Sequence, residues 1–493
     1  MSRAANQRRL AIAVLPFFIF LALPTLARCE PPPPNPPPSN AQSAPEDVRA
    51  VVEELRSRVR RLEALVTVGG EEAKPAPVKE TAPIAAPAES AGPETRLEPA
   101  PKPVAKIEVP DAKKWNVKLG GHVQMDYINW ANASALNTAA QDYFEFRRLR
   151  LVADGTGYRV CDFRLQMSLE PETVGESPPG NVVSPDVKDA YFSMNQIPWF
   201  GRFRIGNFFV PFSLEQVTND RFNVFLERSI PVTGGFAADR EVGVAIYNCT
   251  ENKRLTWAGG FFFDSISEAL KERIDDNQGY RLSGRLTGLP YYDGCSNGRY
   301  LVHLGAGVLY TSDQDGRVRF RARPQIHEGP RLIDSGVIDA GSYLTGNLEL
   351  AVVWGAVSLQ SEAFVSAVNR QGGDVAARGA YAYLSWFLTG ENRIFEPFGQ
   401  HGAQFDGVRP RQNFLLLPGE VGWGAWEAKA RWSCENLTDL DRGIYNDFTL
   451  GMNWYWSDRT RVMFDWIHPF TTAQTPFGTA TQDILGVRFD YNW

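Results

Sequence analysis

Cysteine and histidine are both scarce in this chain of 493 residues, at five each. Cys29, Cys161, Cys249, Cys295 and Cys434 are scattered, with no C-x-x-C spacing and no histidine nearby. That removes a zinc site. Cys249 and Cys295 both fall near predicted turns, so a disulfide between them and free thiols are the two alternatives. His122, His303, His327, His401 and His468 never pair at metal-ligand spacing. G-x-S-x-G, H-E-x-x-H and P-loop motifs are missing as well. No metal, other cofactor, enzymatic constellation or nucleic-acid partner is therefore expected. Long apolar runs are also lacking. Past residue 26 no stretch approaches the roughly 20 apolar residues that a spanning helix needs.

The one apolar run lies at the start. Arg3, Arg8 and Arg9 precede residues 10–26, which Pro16 and Pro24 interrupt. Thr25-Leu26-Ala27 resembles a cleavage site, so residues 1–27 are expected to be a signal peptide for export. An anchor helix and a lipoprotein with Leu26-Ala27-Arg28-Cys29 are the alternatives. Arg28 stands where the latter needs a small residue. Residues 28–45 are proline-rich, hence extended. Over 46–68, Val48, Val52, Leu55, Val59, Leu62 and Val66 recur at spacings of four and three. This predicts a short N-terminal coiled coil, with a lone amphipathic helix as the alternative. Gly69-Gly70 ends it, and 69–114 is an Ala/Pro-rich linker.

From Trp115 the period becomes two. Val117, Leu119, Val123, Met125 and Tyr127 oppose Lys118, His122, Gln124 and Asp126. Trp426, Ala428, Ala430 and Trp432 oppose Glu427, Lys429 and Arg431. Phe448, Leu450, Met452, Trp454 and Trp456 oppose Asp447, Thr449, Gly451 and Asn453. Val462, Phe464 and Trp466 oppose Arg461, Met463 and Asp465. Aromatics make up 12% of the chain and tryptophan numbers 13, yet the mean hydropathy is only −0.28. A transmembrane barrel reconciles the two, because lipid-facing and lumen-facing residues alternate along every strand. The expectation is an all-β transmembrane barrel over residues 115–493, with about sixteen antiparallel strands. Asp154-Gly155-Thr156-Gly157 and Ser457-Asp458 are predicted periplasmic turns. Three connections exceed plain turns, at about 211–239, 312–340 and 391–421. The first two face outward and the third falls on the periplasmic side. Such loops can fold inward and narrow a pore. In the last strand, Leu485, Val487, Phe489, Tyr491 and Trp493 share one face. It resembles the terminal signal that outer-membrane barrels present to their insertion machinery.

Arginine carries the remaining information. Arg147, Arg148 and Arg150 crowd one strand. Arg202 and Arg204 share a face, as do Arg281 and Arg285. Arg221, Arg228 and Arg240 lie in or beside the first long loop. Arg317, Arg319, Arg321 and Arg323 alternate in the second. Guanidinium forks suit phosphate and carboxylate oxygens, so such a line could conduct anions. The alternative is pairing with lumen acids, for which Asp126, Glu145, Glu227, Glu427 and Asp465 are available. The net charge of −6 leaves both open. Three functions compete: an anion-preferring channel, a general diffusion pore with neutralised arginines, and a structural protein tethered to the cell wall by the coiled coil.

Several segments, in order, resemble the phosphate-selective porin O/P family. They are Phe144-Glu145-Phe146-Arg147-Arg148-Leu149-Arg150-Leu151, Asp189-Ala190-Tyr191 and Gly206-Asn207-Phe208-Phe209-Val210-Pro211-Phe212-Ser213-Leu214-Glu215. Leu226-Glu227-Arg228-Ser229, Asp239-Arg240-Glu241-Val242-Gly243-Val244, Arg321-Ala322-Arg323-Pro324 and Gly424-Ala425-Trp426-Glu427 follow. Leu450-Gly451-Met452-Asn453-Trp454-Tyr455 and the final strand close the series. The resemblance implies a sixteen-stranded homotrimeric porin in outer-membrane lipid, with small anions such as phosphate as its solutes. It also implies inward-folded loops and an arginine ladder. For that ladder it suggests Arg147, Arg148, Arg221, Arg228 and Arg240, with Arg321 and Arg323 in the second long loop. The lysine cluster of phosphate-specific members is not evident, since arginine outnumbers lysine across the barrel region.

Overall fold

Alternating residues give each strand one apolar and one polar face, and closing the sheet pairs every backbone group without leaving an edge. The computed structural model describes residues 115–131, 140–170, 186–263, 279–312, 316–370, 372–414 and 422–493. The expected signal peptide, coiled coil and linkers lie outside the described residues. Sixteen antiparallel strands form a closed barrel in sequence order. They are β1 (Asn116–Trp130), β2 (Tyr143–Gly157), β3 (Cys161–Ser168), β4 (Asp186–Ile197), β5 (Gly201–Phe209), β6 (Arg240–Cys249), β7 (Leu255–Phe263) and β8 (Tyr280–Tyr292). Then come β9 (Tyr300–Ser312), β10 (Ser342–Trp354), β11 (Val357–Asn369), β12 (Val375–Phe387), β13 (Ala425–Asn436), β14 (Ile444–Tyr455), β15 (Thr460–Thr471) and β16 (Ile484–Asn492).

The faces fall as the alternation predicts. On β1, Gln124, Asp126 and Ile128 are buried in the lumen, while Leu119 and Tyr127 are exposed to lipid. On β13, Glu427, Lys429 and Arg431 face inward and Trp432 outward. Aromatic rings gather at the end where both barrel termini lie. Trp426 stacks on Trp454 at 4.9 Å, and Tyr491 on Trp493 at 5.8 Å. Such a girdle sits at the membrane interface. Closure joins β16 to β1, with Asp490 opposite Gln124 and Arg488 opposite Asp126. Trp493 and Gly121 exchange two backbone hydrogen bonds of 3.2 Å. A Cβ on Gly121 would stand 2.0 Å from the Trp493 ring, so glycine there lets the last aromatic lie flat on the first strand.

That seam makes the terminal strand testable. Phe489→Asp places an acid on the lipid face near the interface and removes an apolar ring from the face that lipid and assembly would read. Trp493→Ala removes the ring over Gly121. Both variants should give several-fold less heat-modifiable assembled porin in outer membranes. Undiminished yield in both would show that the terminal face is not what assembly reads.

One turn prediction needs correction. Asp154-Gly155-Thr156-Gly157 belongs to β2 rather than to a turn. The chain reverses at Tyr158 and Arg159, both at positive φ (51° and 63°). Gly155 and Gly157 serve instead as flat seats for aromatic rings. A Cβ on them would stand 2.0 Å from Phe163 and 2.5 Å from Trp115. The Ser457-Asp458 turn is as predicted, between β14 and β15. Cys161, Cys249, Cys295 and Cys434 are free thiols, so the Cys249–Cys295 disulfide does not form.

All three long connections enter the lumen. The first spans residues 210–239, with a short helix at Leu214–Val217. The second, 313–341, holds two small ladders that pair Arg317 with Asp339 and Arg321 with Asp334. The third, 388–424, sends up a hairpin of Ile394–Gly399 and Gly402–Asp406 from the terminal end. A hydrophobic core thus forms inside the barrel. Phe212, Phe225, Phe236 and Phe320 pack there against wall residues such as Phe364 and Tyr383.

Candidate anion path

The wall from β13 to β16 carries four lumen-facing cations, and the first loop consumes all of them. Arg461 donates to the Asn223 carbonyl at 2.7 Å, Lys429 to that of Val224 at 2.7 Å, and Arg431 to that of Glu227 at 2.9 Å. Arg488 donates to the Leu226 carbonyl. Each cation is backed by an acid. Asp490 lies 2.8 Å from Arg461, Asp465 2.7 Å from Lys429, Asp126 2.6 Å from Arg488 and Glu215 3.6 Å from Arg431. On the other flank, Glu362 of β11 accepts the backbone N–H groups of Leu214 and Glu215 at 3.0 and 2.8 Å. These bonds hold the loop to the β11–β16 side, so open space remains against β2–β6.

That space is an outer vestibule of about 1270 Å³, open to solvent. Arg147, Arg148, Arg150, Lys188, Arg228 and Arg240 line it, together with Glu170, Asp186, Asp220, Glu227 and Asp239. Strict alternation would send Arg147 to the lipid. A register shift opposite Gln124 and Met125 instead leaves Arg147 unpaired in the ladder, and its side chain joins that of Arg148 in the lumen. A second shift, opposite Gln166 and Met167, does the same for Lys188. Extra residues of this kind re-aim side chains at the cost of local pairing.

Most of these cations meet acids. Arg147 forks onto Glu227 at 2.7 and 3.0 Å. Arg148 lies 2.9 Å from Asp220, and Arg150 donates to Asp220 at 2.5 Å and to Glu170 at 3.2 Å. Arg240 donates to Asp189 at 2.9 Å and lies over the Phe209 ring at 3.8 Å. Arg228 differs. It donates to the backbone carbonyls of Glu215, Gln216 and Thr218 at 3.1, 3.2 and 2.9 Å and, among the described residues, meets no carboxylate. Its charge is held in place but not neutralised.

Thus Arg147, Arg148, Arg228 and Arg240 surround one cavity. Arg221 lies across the first loop, in a separate narrow cleft of about 20 Å³ near the terminal end, with Asp406 and Arg461. Arg321 and Arg323 stand on the second loop, outside the vestibule lining. Val318, Phe320 and Ala322 are buried there, while Arg317, Arg319 and Arg321 are exposed. Arg319 pairs with Asp334. Arg323 donates to the His327 carbonyl at 2.7 Å. Arg321 makes no ion pair among the described residues. Lys188 and Asp220 were not anticipated. The bulge that turns Lys188 inward has no signature in its own residues, and Asp220 is one acid among many until the loop folds.

Asp220 and Glu227 of the first loop resist protonation. Burial would push Asp220 up, but Arg150 and Arg148 hold it well below the usual carboxylate range. Burial opposes the same effect on Glu227, where Arg147 and Arg148 win. Glu170, beside Arg150, is pulled down to about 2. Acids with depressed values stay charged until the pH falls through those values. Acidification from about pH 7 to pH 5 should therefore leave these three ionised. With His327, which also lines the vestibule, replaced by glutamine, the reversal potential in a fixed salt gradient should not drift toward anions over that interval. A steep drift would mean that these pairs are not formed.

The chain resembles known proteins along most of its length. It is 24% identical over 387 residues to porin O of Pseudomonas aeruginosa, covering 71% of this chain and 82% of that one. Among solved structures, an anion-selective porin from Comamonas acidovorans aligns with a TM-score of 0.49 and 16% identity, over 77% of this chain and all of the other. A loop-deletion mutant of OmpT, an outer-membrane protein of Vibrio cholerae, aligns with a TM-score of 0.48 and 10% identity, over 77% and 99%. The family model for phosphate-selective porin O and P matches residues 117–493, which is the whole barrel. The chain is a bacterial outer-membrane channel that belongs to the phosphate-selective porin O and P family.

Proposed function

We propose that small anions of the phosphate type pass from the outer vestibule, along Arg147, Arg148, Arg228 and Arg240, to Arg221 and the inner mouth. Arg321 and Arg323 on the second loop draw anions toward the outer entrance. The observation that carries this reading is Arg228, a guanidinium fixed by three backbone carbonyls and, among the described residues, facing no carboxylate. Fixed charge in a passage narrower than the Debye length of about 8 Å at physiological salt is poorly screened. An anion there exchanges part of its hydration for guanidinium donors. A second reading has support in the five vestibule carboxylates. They nearly balance the cations, as in a general diffusion pore.

Single-channel recording in a salt gradient separates the two. The native channel should reverse on the anion side. Replacing Arg221 and Arg228 together with alanine should move the reversal toward cations and weaken block by phosphate several-fold. Unchanged assembly yield and open lifetime are the controls, because Arg228 also ties the loop backbone. A native channel that already prefers cations would leave the diffusion-pore reading standing. The porin is further proposed to work as a homotrimer without enzymatic activity. Its last strand would serve the insertion machinery, and removing residues 30–110 should leave a barrel that still inserts.

A further inference from the structure

Among the described residues, two arginines of β5 are buried or half-buried with no carboxylate bound to them. Arg204 is fully buried. It donates to Ser193 Oγ at 3.0 Å and to the Gln400 carbonyl at 2.9 Å, and meets His401 Nδ1 at 3.2 Å. Arg202 donates to Asn195 Oδ1 at 2.7 Å, and to the carbonyls of Gly399 and Gln400 at 2.9 Å each. One backbone oxygen, that of Gln400, therefore receives both guanidinium groups. It belongs to the tip of the hairpin that rises from the inner end of the barrel.

Paired guanidinium forks suit an oxyanion, which offers several charged oxygens, better than one neutral carbonyl. His401 sits at the same tip, and burial followed by the charge of Arg204 holds its imidazole well below the ordinary range. A cavity of about 220 Å³ adjoins the tip, lined by Arg202, Arg204, Tyr191 and Gln400. Two acids line it too, but both have partners. Asp162 accepts from Asn195, and Asp154 lies 3.6 Å from Arg164. The space is at the inner mouth, because Arg202 stands one residue into β5 from the β4–β5 turn.

We propose that Arg202 and Arg204 form an oxyanion site at the inner mouth, for phosphate-like anions, and that the Gln400 carbonyl is its resident stand-in. An arriving anion displaces the hairpin tip and takes both forks. The tip thereby loosens when anion is present and reseats when the anion leaves. This rests on the anion-path reading, yet it concerns different residues at the opposite end of the channel.

The test uses the full-length porin with its native cysteines changed to serine and Gln400→Cys added. The substitution leaves the backbone carbonyl in place. The probe is inorganic phosphate, compared with chloride at equal ionic strength. Labelling of the tip by a bulky thiol reagent should speed up several-fold and saturably with phosphate but not with chloride. Arg202→Gln should abolish that dependence. In bilayers, Arg202→Gln should weaken phosphate block from the inner side about tenfold, the equivalent of 1.4 kcal/mol, and leave outer-side block unchanged. Labelling that ignores phosphate, or inner-side block that survives Arg202→Gln, overturns the site. Loss of outer-side block in the unmodified channel would instead strike the vestibule reading, and the labelling result would still decide the inner site by itself.

Discussion

Replacing Arg147 and Arg148 together with alanine should invert the selectivity of the channel. The vestibule then keeps four cations against five carboxylates. Glu227 loses its fork from Arg147, and Asp220 loses its 2.9 Å neighbour Arg148. Both acids stay ionised, since Arg488 still donates to Glu227 at 2.8 Å and Arg150 to Asp220 at 2.5 Å. A unit charge at 4 Å is worth about 1 kcal/mol in water and about 4 kcal/mol at an effective dielectric of 20. Two charges removed from a confined space outweigh a native excess of one. The reversal potential in a low-salt gradient should cross from the anion to the cation side. A channel with lysine at both positions should keep the anion sign but hold phosphate more weakly, because an ammonium cannot fork. If the double alanine channel still prefers anions, the vestibule does not set selectivity, and the exposed arginines of the second loop become the candidates.

The largest stability loss should come from Arg488→Ala. Arg488 is fully buried between Asp126, at 2.6 Å through both nitrogens, and Glu227 at 2.8 Å. It also holds the first loop through the Leu226 carbonyl. Removing one partner of a buried pair leaves uncompensated charge and costs about 3–5 kcal/mol. Here Asp126 is stranded, while Glu227 keeps its fork from Arg147. The barrel should unfold at distinctly lower temperature, and its open current should become noisy as the loop loosens. Adding Asp126→Leu to Arg488→Leu should recover part of the lost stability, because it removes the stranded charge. Equal melting of Arg488→Ala and the native porin would mean that the loop is held by its other anchors alone.

Much of this molecule is legible in its residues. Period-two alternation, an even strand count and the terminal aromatic face specify a closed barrel, because only barrels and helices satisfy a backbone in lipid. The side assigned to Glu427, Lys429 and Arg431, or to Leu485 through Trp493, follows from parity alone. The three long connections were also countable. Arg317, Arg319 and Arg321 share an exposed face for the same reason of parity.

What the chain by itself could not decide is where charge ends up. Arg147 and Lys188 enter the lumen only because two local shifts break the alternation, and a shift is visible only against the partner strand. Asp154-Gly155-Thr156-Gly157 reads as a turn in isolation and becomes strand because Phe163 and Trp115 need flat glycines beneath them. Arg461, Lys429, Arg431 and Arg488 look like pore lining in sequence, yet they are spent on loop carbonyls hundreds of residues away. The residues determined the barrel, since strand pairing follows a local period. The tertiary structure decided which arginines face the solute, since that depends on the long-range contacts that hold the loops inside it.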